Sequence, residues 1–236
     1  MAIAQSLALE GVTVFAAARS IEKIADWAAD IDNITAMKLD LGDIGEVDGL
    51  VDTLLRDGGV DIVVNNGGGP PPGMAQNSDR AAWLTHFEAM AANLFHLNTR
   101  LLPPMKERGW GRIISITSSG VEQPIPNLAL SNGIRSAVVG WSKTLSSEVA
   151  ADGITVNVVM PGRIHTQRVD ELDAAAAKRT DTNVVDVAAK SRATIPAGRY
   201  GKPQEFADMV TFLASDRAGY VTGSKIRIDG GAIKSI

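Results

Sequence analysis

Arg112-Ile113-Ile114-Ser115-Ile116-Thr117-Ser118-Ser119-Gly120 is an apolar run that ends in hydroxyls, and it decides the fold. Ser131-Asn132-Gly133-Ile134-Arg135 begins thirteen residues after Ser118. A second apolar run follows, Gly153-Ile154-Thr155-Val156-Asn157-Val158-Val159-Met160-Pro161-Gly162-Arg163-Ile164-His165-Thr166. Short continuous apolar runs bounded by turn residues read as strands buried on both faces, and a helical stretch between two of them makes a parallel crossover unit.

The same alternation extends outward in both directions. Strands are expected near residues 12–18, 34–39, 60–64, 112–117, 154–159 and 225–228. Helices are expected over Met1 to Gly11, where Gly11 is placed to stop the helix; over Ile21 to Asp30, capped by Ser20; and from about Asp43 to Arg56. A long helical region from Ser78 carries Trp83, Phe87, Met90, Leu94, Leu97 and Leu101, with Pro103-Pro104 disturbing its end. Residues from about Asp170 to Lys190 read as helical, and Pro203 stands at a helix N1 position. Gly67-Gly68-Gly69-Pro70-Pro71-Pro72-Gly73 is a loop. The expected fold is α/β, one doubly wound, mostly parallel sheet in a single domain spanning 1–236.

Composition narrows the function. A net charge of −4 gives no electrostatic basis for binding nucleic acid or an anionic membrane. The absence of Cys removes disulfides and thiolate metal sites and fits a reducing cytoplasm. No run of eighteen apolar residues is present, so no membrane span is expected. No metal site is expected either.

These segments together resemble the short-chain dehydrogenase/reductase family, especially its 3-oxoacyl-carrier-protein reductase branch. Further support comes from Asn65-Asn66-Gly67-Gly68, Arg199-Tyr200-Gly201-Lys202-Pro203, Phe212-Leu213-Ala214-Ser215-Asp216 and Asp229-Gly230-Gly231. The resemblance implies a Rossmann-type sheet, a dinucleotide cofactor, a small carbonyl or alcohol substrate and a homodimer or homotetramer. The family places a first strand and a Gly-rich turn ahead of the helix that Met1 to Gly11 matches, and neither is in this sequence. That turn lets the backbone approach the cofactor pyrophosphate. Strands 12–18 and 60–64 are therefore expected either to flank a gap where the first strand belongs or to pair directly.

The resemblance also assigns roles. Ser118 stands at the family's catalytic Ser, but Ser131 and Arg135 stand where it has Tyr and Lys, and Ala91 where it has a relay Asn. Ser131 cannot replace a phenol of pKa ~10, and Arg135 stays protonated, although it can bond ribose hydroxyls. His165 is then the substitute acid, expected to face Ser118 directly or through one water, with Glu122 a weaker choice. Arg19, in place of a strand-end acid, favours the 2′-phosphate of NADP over NAD, with a solvated side chain as the alternative. Asp40-Leu41 matches the adenine contact, Asn66-Gly67-Gly68 the close backbone approach, and Pro161, Gly162, Ile164 and Thr166 the loop around the nicotinamide and phosphates. Two functions stay open. One is an NADP(H)-dependent, or NAD(H)-dependent, reductase or dehydrogenase with a non-standard site. The other is a silent nucleotide-binding or scaffolding subunit.

Overall fold

A computed structural model describes residues 1–236. The strands are β1 Val14–Ala18, β2 Ile34–Lys38, β3 Ile62–Asn65, β4 Gly111–Ile116, β5 Ile154–Pro161 and β6 Lys225–Ile228. The helices are α1 Ala2–Leu9, α2 Ile21–Ala28, α3 Ile44–Arg56, α4 Arg80–Phe87, α5 Asn93–Arg108, α6 Ala129–Val149, α7 Gln167–Thr180, α8 Val184–Ala193 and α9 Pro203–Ala214. Every strand is joined to the next by a helical crossover, and every strand pair is parallel. Helices cover both faces. Ile113 packs with Val47, Val51, Leu101 and Met105 of α3 and α5, while its neighbour Ile114 packs with Leu7 of α1 and Val210 and Leu213 of α9. Alternate residues of one strand thus feed two cores, which explains why β4 and β5 read as unbroken apolar runs. No helix is long and apolar enough to cross a membrane.

The sheet is divided. β1 pairs only with β2, and β3 to β6 form a separate four-stranded sheet in chain order. Of the two arrangements open from the sequence, the structure has the gap.

Several local expectations are corrected. Pro103 and Pro104 lie inside α5, which continues to Arg108 and ends on the left-handed Gly109, φ 66°. Burying Leu97, Leu101 and Met105 contributes roughly 5–9 kcal/mol at roughly 1.5–3 kcal/mol per side chain. That is comparable with a cost of ~3 kcal/mol per helix proline. Gly59 makes room for the ring, since a Cβ there would lie 2.9 Å from Pro104 Cγ. The long helix is interrupted upstream by a π turn over Glu88–Ala92. Ser20 precedes α2 but makes no side-chain capping bond, whereas Asp43 caps α3 through Gly45 N and Glu46 N. The Asp170 to Lys190 region is two helices, separated at Asp181 in the left-handed region. Leu94 and Leu97 of this helical region face the chain's own core, while Phe87 is exposed.

Two buried polar assemblies hold the larger sheet. Asn65 and Asn98 exchange side-chain amide bonds at 3.2 and 3.0 Å, and Asn65 also donates to Ser115 Oγ at 3.1 Å. Arg112, 3% exposed, donates to the carbonyls of Gly111, Gly153 and Ser215 while its guanidinium lies over Trp110.

Candidate active site

Ligands in open α/β sheets bind at the carboxyl ends of the strands. β4 delivers Ser118 there. Its Oγ accepts the Gly120 N–H at 3.1 Å, so its own O–H hydrogen stays free to donate. Gly120 must be glycine because a Cβ would fall 2.5 Å from Asn132 Oδ1. Asn132 in turn donates from Nδ2 to the Ile125 carbonyl at 2.9 Å and fixes the loop between β4 and α6. Asn132 is a site residue that sequence reasoning missed, and its signal was only its place beside Ser131.

Ser131 and Arg135 sit one turn apart on α6. Ser131 makes no side-chain hydrogen bond. Arg135 donates to the Ile116 carbonyl at 3.0 Å and to the Gly68 carbonyl at 3.3 Å, so it staples the loop after β3 to the end of β4. Burial pulls its guanidinium below the ordinary value. Two of its five donors are thereby committed to backbone, which leaves fewer for a ligand than a free cation offers.

Pro161 closes β5 opposite Ile228, and Gly162 is packed against Asp229, whose Cα would lie 2.6 Å from a Cβ at that position. Ile164 bridges to Gly201 and packs with the α1–α9 core. Thr166, at the N-cap of α7, is exposed and makes no capping bond. His165 does not hydrogen-bond Ser118. Its Nε2 meets Asp170 Oδ1 at 3.1 Å, its side chain is 61% exposed, and its ring lies 5.9 Å from that of Tyr200. The expected direct contact is corrected: the α7 carboxylate five residues on is the nearer partner for an imidazole on this loop.

The other acids fare worse. Glu122 is bound by Lys225 at 2.7 Å and Arg227 at 2.5 Å, and those bonds, Lys225 first, hold its carboxyl below the usual range. It stays ionised and cannot donate a proton near neutral pH. Tyr200 donates its O–H to the buried Asp173 at 2.6 Å, and burial raises its phenol. Asp173 also takes Arg163 Nη1 at 3.1 Å, which ties α7 to the loop after β5.

Around the β1, β2 and β3 ends, Asp40 Oδ1 accepts from Gly42 N, a local turn. The Leu41 carbonyl accepts Asn93 Nδ2 at 2.8 Å, and a Cβ on Gly67 would touch Leu41 Cδ1 at 3.4 Å. Asn93 therefore braces this corner instead of standing at the relay position, and Ala91 is buried against α6. Arg19 and Asn66 are exposed, with no side-chain partner. Free Arg19, Asn66, Thr166 and Ser118 hydroxyl hydrogen, together with open space at Gly68, fit a polar, anionic ligand spread across the strand ends. The Gly-rich turn that would cradle its pyrophosphate is not among these residues.

Residues 1–232 match the family described as enoyl-(acyl carrier protein) reductase. The chain is 33% identical to the 3-oxoacyl-[acyl-carrier-protein] reductase FabG of Haemophilus influenzae, over 98% of this chain and 91% of that protein. It is 34% identical to nodulation protein G of Azospirillum brasilense, over 98% and 92%. Among solved structures, YwfH, an NADPH-dependent reductase involved in bacilysin biosynthesis, aligns with a TM-score of 0.94 at 27% identity, over 100% of this chain and 94% of that one. L-sorbose reductase from Gluconobacter frateurii, complexed with NADPH and L-sorbose, aligns at 0.93 and 28%, over 100% and 92%. The chain belongs to the short-chain dehydrogenase/reductase family of oxidoreductases and is like its 3-oxoacyl-[acyl-carrier-protein] reductases.

Proposed function

We propose that the protein is an NADP(H)-dependent oxidoreductase that acts on a carbonyl/alcohol pair of the 3-oxoacyl-thioester kind. The observation that carries this reading is Ser118, whose free hydroxyl hydrogen stands at the carboxyl end of β4. The NADPH-bound neighbours and the ketoreductase relatives support it. Arg19 would bind the 2′-phosphate, Asp40 and Leu41 the adenine, Asn66 to Gly68 the backbone approach, and Pro161, Gly162, Ile164 and Thr166 the nicotinamide and phosphate side. NADPH, when bound by these residues, would supply hydride to the carbonyl carbon. Ser118 donates to the carbonyl oxygen and orients it. His165 gives that oxygen its proton after exchanging Asp170 for substrate, a change its exposure permits. Arg135 holds the two loops in register.

A second reading, a silent nucleotide-binding or scaffolding subunit, is favoured by one observation. Ser131 and Arg135 offer no titrating acid beside Ser118, and His165 is tied to Asp170. NADPH consumption with a 3-oxoacyl thioester decides between them. Turnover that falls by on the order of 10²-fold in His165→Gln, with NADPH affinity unchanged, supports the enzyme and its acid. Full activity in the variant removes His165 from the mechanism. Fluorescence-detected NADPH binding without consumption establishes the second reading. We further infer a homodimer through the outer faces of α5 and α6, where Phe95 stacks on Trp141 at 4.6 Å, extended to a tetramer through β6. A purely monomeric light-scattering profile at micromolar concentration overturns that assembly.

A further inference from the structure

An asparagine followed by glycine is the pair in which a side-chain amide most readily reacts with its own backbone, because no Cβ shields the next nitrogen. The chain has two such pairs, Asn66-Gly67 and Asn132-Gly133, and the fold treats them oppositely. Asn132 lies in the first turn of α6, where its N–H donates to the Leu128 carbonyl at 2.9 Å. Its Nδ2 donates to the Ile125 carbonyl at 2.9 Å, and the Gly133 N–H belongs to the helical ladder. Reaction there requires both side-chain and helix bonds to break. Asn66 has none of these restraints. It stands exposed just past the end of β3, its side chain has no partner, and the Gly67 N–H makes no hydrogen bond within the chain. Gly68 has open space where a Cβ would be. The first fixed point beyond is the Gly68 carbonyl, which accepts Arg135 Nη2 at 3.3 Å. The peptide between Asn66 and Gly67 can therefore turn without breaking a bond of the fold.

We propose that Asn66 is a site of spontaneous deamidation, and that its product sets a carboxylate at the carboxyl end of β3. Hydroxide takes the proton of the Gly67 nitrogen, which attacks Asn66 Cγ. The new C–N bond closes a succinimide ring, and the side-chain nitrogen leaves as ammonia. Water then opens the ring at either carbonyl and yields aspartate or isoaspartate. No oxidant, metal or second substrate enters the balance. Either product carries a negative charge where a neutral amide stood. Isoaspartate also lengthens the main chain by one methylene, ahead of the Gly68 carbonyl that Arg135 holds, so the staple between the loops after β3 and β4 shifts. The functional consequence rests on the NADP(H) reading given above. An anion added at Asn66 opposes an anionic dinucleotide, and one like charge several ångströms away in water weakens binding by on the order of three-fold. The chain loses cofactor affinity with age.

The test stores the full chain at mildly alkaline pH and physiological temperature, digests it under acidic conditions and reads each asparagine by peptide mass spectrometry. Amide loss at Asn66 should outpace that at Asn132 by on the order of ten-fold or more, the scale on which a packed helix suppresses local opening. In urea the two sites should react alike, since only the fold distinguishes them. Gly67→Ala should keep the Asn66 amide through the same storage; its Cβ would meet Leu41 Cδ1 at 3.4 Å and needs no left-handed backbone. Deamidated chain, separated from intact chain by ion exchange, should bind NADPH more weakly by on the order of three-fold. Stored Gly67→Ala should match its own fresh sample. The proposal is overturned if Asn66 keeps its amide in the folded chain, or if Asn132 loses its amide as fast. Equal NADPH affinity of deamidated and intact chain overturns the functional consequence. Fresh protein that binds no NADPH refutes the NADP(H) reading and that consequence with it, while the mass spectra still decide the modification by themselves.

Discussion

Replacing Asn98 by Ala should destabilise the protein by about 2–3 kcal/mol, and the reasoning rests on counting partners. Asn98 is 1% exposed and Asn65 is 7% exposed. Asn98 Nδ2 donates to both Asn65 Oδ1 and the Leu94 carbonyl. The Leu94 carbonyl keeps its helical partner, the Asn98 backbone N–H, so the substitution does not orphan it. Asn65 Nδ2 keeps Ser115 Oγ. What remains is Asn65 Oδ1, buried with no donor, at about 1–3 kcal/mol, plus the packing of the lost amide. Urea denaturation should show a lower midpoint at unchanged slope. The decisive measurement is the cycle of Asn98→Ala with Asn65→Ala and the double variant Asn65→Ala/Asn98→Ala. Removing both amides should cost less than the sum of the singles by about 1 kcal/mol or more, because no orphan carbonyl survives. Additivity within about 0.5 kcal/mol would refute the reciprocal pairing.

Gly153→Ala places a methyl group 2.1 Å from the Gly109 carbonyl oxygen at a residue with φ +73°. It should lower stability by more than about 2 kcal/mol in the same assay, while Gly140→Ala, in open space on α6, should not. Glu205 is held down to about 2 by Arg199 and by the Lys202 N–H. A depressed carboxylate contributes stability that is complete above its ordinary value of 4.5 and lost as pH falls through about 2. Glu205→Gln should flatten the acid limb of a stability-against-pH curve across that window, and an unchanged limb would contradict the assignment.

Most of the strands and their directions were legible because a strand buried on both faces must be apolar throughout, as in Ile113–Ile114 and Val156–Val159. The bounds of β1 and β3 were less so. Val12 is spent closing α1, and Asn65 joins β3 because its amide is satisfied by Asn98 and Ser115. Local propensity misled at Pro103 and Pro104, where tertiary burial of the neighbouring leucines and a glycine opposite offset the prolines. The strand end at Ser118 was legible from the apolar run before it, and the choice of Ser118 itself only from the family resemblance. The orientation of His165 was not, since a loop imidazole goes to the nearest carboxylate and Asp170 lies on a helix whose start no motif fixes. Nor was the stapling by Arg135, whose acceptors are main-chain carbonyls far off in sequence and leave no side-chain signature.

The order β3, β4, β5, β6 is both the chain order and the spatial order of the larger sheet. On a ribosome, which releases the amino-terminal part first, each of these strands emerges to find its partner already made and adds to a growing edge. No strand has to be inserted between two others. Arg112 is the exception. Its last acceptor, the Ser215 carbonyl, lies 103 residues further along, so a guanidinium in the second strand of this series waits for nearly the whole chain. Until β5 adds to β4, it stands as a cation on the growing edge, where its charge discourages another nascent chain from joining edge to edge.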